Sequence, residues 1–291
     1  MRPTRANAMR VETLGNGEPE IAIVAAIHGD EPCGVHAVET LLDESPAVEQ
    51  PVKCIIANDR ALDRDVRFID ADLNRVFPGD PDAERYERRL AAALLDELRG
   101  CRTLALHATK STDTPFAIVT ETGPLAETVC PQLSIEALVE AGPCVDTALG
   151  AYVDAIEVEC GRQGSDQATA TATQLVREFL TATGALPGTV EPPERALPVY
   201  RLRDRIPKPN ATAYEVLVTN FERVDTDAPY ATIDGTPQTA DEPFYPVLLS
   251  ANGYDIQFGY AADLTDRLEP AADRTDKRRG IENGGTLKAT R

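Results

Sequence analysis

Hydrophobic positions along the chain follow two rhythms. Through the first 180 residues or so, short apolar runs alternate with longer amphipathic stretches. Glu20 to Ile27 is a continuous apolar run, as expected of a strand covered on both faces, and Val52 to Ala57 is a second. Thr103 to Leu106, Phe116 to Thr120 and Ala155 to Cys160 read as further strands. Between them, Glu31 to Leu42, Pro81 to Leu98 (rich in Ala, Leu, Glu and Arg) and Asp166 to Thr183 read as helices. This alternation predicts an α/β fold with a sheet sandwiched between helices. After Gly184 the pattern changes. Pro187 to Pro198 is rich in Pro, Gly and Glu and reads as a linker. From Val199 to Tyr260 the segments are short, β-branched or aromatic, and parted by turn residues; Tyr214 to Thr219, Tyr245 to Leu249 and Tyr254 to Phe258 are examples. The expected organisation is an α/β domain over 1–186, a small β domain over 187–262, and a charged, mobile tail over 263–291.

Composition narrows the partners. The 291 residues carry a formal charge of -19, which argues against nucleic acid or an anionic membrane as a partner. There are only five lysines, while acids and arginines are plentiful. Such a surface repels itself at low ionic strength and is screened at about 1 M salt, so a salt-rich, halophilic cytoplasm is expected. No stretch approaches the roughly 20 apolar residues that span a bilayer, the best run being Ile21 to Ile27. Met1 to Arg10 has arginines but no apolar segment behind them, unlike a signal peptide, so a cytoplasmic location is expected. The six cysteines form no C-x-x-C pair and suit buried thiols in a reducing compartment.

The strongest local signal is Ala26-Ile-His-Gly-Asp-Glu31-Pro, where an apolar strand gives way to a helix. Sites in such sheets lie beyond the carboxyl ends of strands. An H-x-x-E spacing there lets an imidazole and a carboxylate converge on one ion, with Gly29 permitting a sharp turn. Taken alone, the spacing equally fits a surface His beside a helix-capping acid. A catalytic zinc keeps three protein ligands, and His107 ends a second strand in the same way. His36 falls inside the following helix and is set aside. The stretch from Arg67 to Gly79 presents Arg67, Asn74 and Arg75, which suit a carboxylate or, equally, a solvated loop. In Ile156-Glu-Val-Glu-Cys-Gly161, Glu157 and Glu159 share one strand face; a carboxylate there could activate water, or the strand could be an edge strand with a polar face.

Four segments together resemble the succinylglutamate desuccinylase/aspartoacylase family, a branch of the zinc carboxypeptidase-like hydrolases. They are H-G-D-E at 28–31, D-L-N-R-V-F-P-G at 72–79, L-H-A-T at 106–109 and V-E-C-G at 158–161, with a weaker echo at 245–254. The resemblance implies a three-layer α/β/α fold with a mixed central sheet and a metal-dependent amidohydrolase that cuts the linear amide of an N-acyl amino acid. It implies one zinc per chain on His28, Glu31 and His107, and Glu159 as the acid–base group. Arg67 resembles the arginine that polarises the scissile carbonyl, Asn74 and Arg75 the pair that holds the substrate carboxylate, and Tyr254 a tyrosine that closes over the substrate. The chain departs from the family at Leu106, where an acid is common, and at Cys160 beside Glu159. Neither change removes a ligand. The alternatives are a metallocarboxypeptidase acting on peptides, a cysteine hydrolase built on Cys160 or Cys33, and a non-catalytic metal-binding homologue. A homo-oligomer is compatible with all of them.

Overall fold

A computed structural model describes residues 9–190 and 195–270. In chain order the elements are β1 (Arg10–Leu14), β2 (Ile21–Ala25), α1 (Cys33–Glu44), β3 (Val52–Ile56), α2 (Asp59–Leu62), α3 (Tyr86–Glu97), β4 (Arg102–Thr109) and β5 (Phe116–Val119). There follow α4 (Pro124–Val129), β6 (Leu138–Glu140), β7 (Ala155–Arg162), α5 (Asp166–Ala182), β8 (Leu197–Pro207), β9 (Tyr214–Val216), β10 (Pro229–Ile233), β11 (Thr236–Thr239), β12 (Tyr245–Val247) and β13 (Gln257–Leu268). Ten strands form one sheet in the order β1-β3-β2-β4-β7-β5-β6-β8-β13-β12, and β9 to β11 form a second. The large sheet is mixed: β3, β2, β4 and β7 run parallel, while β1, β5, β12 and β13 each include an antiparallel pairing.

The period-2 alternation of strand side chains decides which core each residue joins. Leu104, Leu106, Ile156, Val158 and Cys160 share one core with Val38 and Leu41 of α1 and with Leu175 and Phe179 of α5. The opposite face carries Ala22, Val24 and Ala105 against Leu90, Leu94 and Leu98 at α3. This is the expected three-layer arrangement.

Several boundaries differ from the sequence pattern. The third helix starts at Tyr86, not Pro81, because the Tyr86 amide donates to the Asp70 carboxylate at 2.8 Å. The strand expected from Tyr254 begins at Gln257. β8, β12 and β13 extend the large sheet, and only β9 to β11 stand apart from it. β13 pairs with β8 as far as Leu268, within the stretch expected as tail, while 271–291 and residues 191–194 of the expected linker lie outside the described residues.

Candidate metal centre

The candidate residues gather at the carboxyl ends of β2, β4 and β7. After β2 the backbone turns at Ala26, whose φ is 53°. The following turn carries His28 and Glu31 and leads into α1. Gly29 serves a different purpose from the one its motif suggests. A Cβ there would overlap the backbone of Ala61 and Leu62, so glycine is required for close approach to α2. On the sheet, His107 stands beside Glu159 in the parallel register of β4 and β7. These two share the α3-side face with Ala105 and Glu157, whereas Leu106 and Cys160 point into the opposite core.

His28, Glu31 and His107 are all buried, and one ligand atom from each lies within 4.8 Å of the others. His28 Nδ1 is 2.9 Å from Glu31 Oε1, and His107 Nδ1 is 3.1 Å from Glu31 Oε2. Each ring has a second carboxylate behind it. His28 Nε2 is 3.1 Å from Asp72 Oδ1, and His107 Nε2 is 3.4 Å from Glu157 Oε2, close but without a well-aimed hydrogen bond. With a cation in place of the Nδ1 protons, a proton kept on each Nε2 would leave both Nδ1 lone pairs free to ligate, the tautomer that metal-ligating imidazoles adopt. Two imidazoles and one carboxylate suit zinc and neighbouring divalent ions. The three residues therefore fit a bound cation.

Electrostatics agree with a site built around charge. Burial works against the Glu31 carboxylate, yet the His28 charge and hydrogen bonds from His107 and His28 hold it well below the usual range. Burial would lower His107, but its contacts to Glu157 and Glu31 keep it well above an ordinary imidazole. Glu159 behaves in the opposite way. Burial and the adjacent Glu31 charge push it up to about 7, and its Oε2 is a buried oxygen without a hydrogen-bond partner.

Arg67 crosses the site, donating to Asp72 Oδ2 at 3.0 Å and to Glu31 Oε1 at 3.1 Å. Its loop is fastened by Glu87 of α3, which is fully buried. The Glu87 carboxylate accepts the backbone amides of Ile69 (2.6 Å), Asp70 (2.9 Å) and Ala71 (3.1 Å), and the Asn58 side chain at 3.3 Å.

All eight residues singled out from the sequence line one cavity: His28, Glu31, Arg67, Asn74, Arg75, His107, Glu159 and Tyr254. Asn74 is largely committed within the protein, donating to Glu157 Oε2 at 2.7 Å and accepting the Leu149 amide at 2.8 Å. Arg75 donates to the Asn74 carbonyl and makes no ion pair among the described residues, so its charge is available at the exposed rim. His36 is exposed on α1, away from the cavity. Asp72 and Glu87 were given no role in the sequence reading, and Glu157 entered it only as the alternative to Glu159. Asp72 was visible as the acid two residues before Asn74. Neither Cys160 nor Cys33 suits a nucleophile: both are buried in the core under α1. A hydrogen bond with Cys33 and burial hold the Cys160 thiol well above its ordinary range.

Comparison with known proteins gives the geometry a context. Residues 17–127 match the model of the succinylglutamate desuccinylase/aspartoacylase catalytic domain. The chain is 34% identical over 104 residues to aspartoacylase from Rattus norvegicus, and equally to that from Mus musculus. These matches cover 34% of this chain and 32% of each relative, so the matched stretch spans about a third of those proteins. Among solved structures, the product-bound ectoine utilization protein EutE (DoeB) from Ruegeria pomeroyi superposes with a TM-score of 0.71 at 20% identity, covering 87% of each chain. A succinylglutamate desuccinylase/aspartoacylase from Rhodobacter sphaeroides gives 0.69 at 17% identity, covering 89% of each. Murine aminoacylase 3 gives 0.66 at 20% identity, covering 87% of this chain and 98% of that one. At these identities the structural likeness is one of fold.

Proposed function

We propose that the chain, which matches the succinylglutamate desuccinylase/aspartoacylase catalytic domain over residues 17–127, hydrolyses the amide bond of an N-acyl amino acid at a zinc site formed by His28, Glu31 and His107. The observation that carries this reading is the convergence of those three side chains beside Glu159 and Arg67 in one cavity.

A divalent cation held there supplies a Lewis acid that polarises a carbonyl and lowers the pKa of water toward ~7. The protein's own groups do the rest. Glu159, held near neutrality and with an oxygen unclaimed, accepts a proton from water as the water oxygen adds to the amide carbon. The same carboxyl then returns the proton to the nitrogen as the C–N bond breaks, leaving an acid and an amine. Arg67 donates toward the carbonyl oxygen as negative charge develops there. Its ties to Asp72 and Glu31 fix the guanidinium in advance, so little reorganisation is needed. Arg75 meets the substrate carboxylate, with Asn74 positioning it through the backbone carbonyl. Tyr254 closes the cavity from the segment before β13. That segment is steadied by Lys208, whose ammonium donates to the Tyr254 and Ala251 carbonyls.

Walls from the C-terminal strands leave about 120 Å³ of free volume, which favours a short acyl-amino acid over a peptide. The test is amine release from N-acyl amino acids by metal-loaded protein. Activity should vanish after chelation, return with zinc, survive thiol alkylation, and be lost in Glu159→Gln with zinc content unchanged. Full activity in Glu159→Gln, or loss on alkylation alone, would overturn the assignment.

A further inference from the structure

The cavity has two chemically unlike halves. One holds His28, Glu31, His107, Glu157, Glu159 and Arg67. The other is walled by Ile118 of β5, Ala141, Val145 and Ala148 between β6 and β7, Leu202 of β8, and Leu248 after β12. Most of these side chains belong to, or rest against, one apolar cluster that includes Phe116, Val139, Val247 and Tyr260. The wall is therefore the surface of a packed core and does not depend on a single mobile residue.

The placement of positive charge is the second observation. Among the described residues, the lysine and arginine side chains that line the cavity are Arg67, Arg75 and Lys110. Arg67 is bound to Asp72 and Glu31. Arg75 and Lys110 are exposed at the rim and make no ion pair among the described residues. The arginines of β8 that flank Leu202 face the other way, since side chains alternate along a strand. Arg201 is held by Glu140 at 2.7 Å, and Arg203 by Asp204, Glu242 and Asp263. Against these stand four acids of the cavity itself, Asp30, Glu31, Glu157 and Glu159. A second substrate carboxylate placed against Ile118, Ala141, Val145 and Leu202 would give up its water for apolar surface, a costly arrangement.

We infer that the substrate carries a single carboxylate, met at the rim by Arg75, and an apolar arm that lies against Ile118, Leu202 and Leu248. The substrate class is then an N-acyl derivative of an apolar amino acid, or a short aliphatic acyl derivative of a small one, and not an N-acyl dicarboxylic amino acid. The inference rests on the hydrolase reading for its chemistry, but the shape and charge of the pocket are independent of turnover.

Two measurements separate the two claims. In the first, kcat/KM of the zinc-loaded protein is compared for N-acetyl-leucine, N-acetyl-phenylalanine, N-hexanoyl-glycine, N-acetyl-aspartate and N-succinyl-glutamate. The expected preference for the best apolar substrate over both dicarboxylates is on the order of 100-fold, the scale of burying apolar groups against leaving a buried charge unpaired. In the second, zinc-loaded Glu159→Gln is titrated calorimetrically with N-acetyl-leucine and N-acetyl-aspartate, which reads the pocket without turnover. Apolar ligands should bind more tightly by at least about tenfold. Ile118→Arg, at a half-buried wall position, should narrow or reverse both preferences while zinc content stays at the wild-type level. Should that variant fold poorly, Leu202→Ala should lower kcat/KM for N-acetyl-leucine about tenfold more than for N-acetyl-aspartate. Equal or tighter handling of the dicarboxylates overturns the inference and leaves the hydrolase reading intact. Tighter apolar binding with no turnover of any substrate supports the pocket and overturns the hydrolase reading.

Discussion

Glu87 offers the sharpest test of how the site is held in shape. It lies on α3, away from the cavity lining, yet its carboxylate is fully buried and accepts three consecutive amides from the loop between Arg67 and Asp72. Replacement by Ala removes one acceptor group and strands those three donors along with Asn58. Each buried donor without a partner costs about 1–3 kcal/mol, and water entering the vacated space recovers part of that. A net loss of about 3 kcal/mol is expected, a large share of the roughly 5–15 kcal/mol by which domains are stable. For a chain of this size that corresponds to a fall in Tm of about 6–12 °C. The loop also places Asp72 behind His28, so zinc affinity should fall by roughly 10–100-fold, as it does when the carboxylate behind a ligating imidazole is disturbed. Thermal unfolding of chelator-treated protein and a zinc competition titration measure the two effects separately. Glu87→Gln keeps the volume and one acceptor oxygen, so it should lie between Ala and wild type. If Glu87→Ala unfolds within about 1 °C of wild type and binds zinc equally well, the loop is held by something else.

Other outcomes follow from the same geometry. In the metal-free protein, burial and the Glu31 charge push Glu159 from the ordinary 4.5 of a glutamate up to about 7. Its neutral form is therefore favoured by folding, and the contribution is complete below about pH 4.5 and lost as pH rises through 7. Glu159→Gln, which mimics the neutral carboxyl, should raise the Tm of metal-free protein at pH 8 and leave it unchanged at pH 4; equal shifts at both pH values would refute the argument. Asp72→Asn removes the charge that faces both His28 and Arg67, so it should weaken zinc binding and lower kcat together; an unchanged zinc Kd would remove Asp72 from its role. Arg75→Ala should raise KM at least about tenfold with little change in kcat, as expected when a group binds ground and transition states alike. With a charge of -19, the protein should melt at higher temperature in 1 M salt than in 0.05 M, and a flat salt profile would contradict that expectation.

Much of the fold was legible because the central strands are covered on both faces and so read as unbroken apolar runs, as in β2 and β3. The candidate ligands at 28, 31 and 107 were legible because they sit where such runs end. The start of α3 was not, since the group that caps it, Asp70, lies 16 residues away in the chain. Nor was the extension of the sheet through β6, a strand of only three residues whose pairing with β8 depends on contacts distant in sequence. Glu87 and Arg88 look alike on a charged helix, and only the fold shows that the first is buried beneath a loop. Glu157 and Glu159 share a strand face by simple alternation. What separates them is their surroundings, because Glu157 is held by Asn74 and Gly150 while Glu159 keeps an oxygen free.

The central claim concerns one cation and three side chains. Zinc-edge anomalous diffraction from crystals of zinc-loaded protein addresses it most directly. One peak per chain is expected, about 2.0–2.2 Å from the Nδ1 atoms of His28 and His107 and from a Glu31 carboxylate oxygen. A peak elsewhere on the chain, or none at full zinc saturation, would contradict the account.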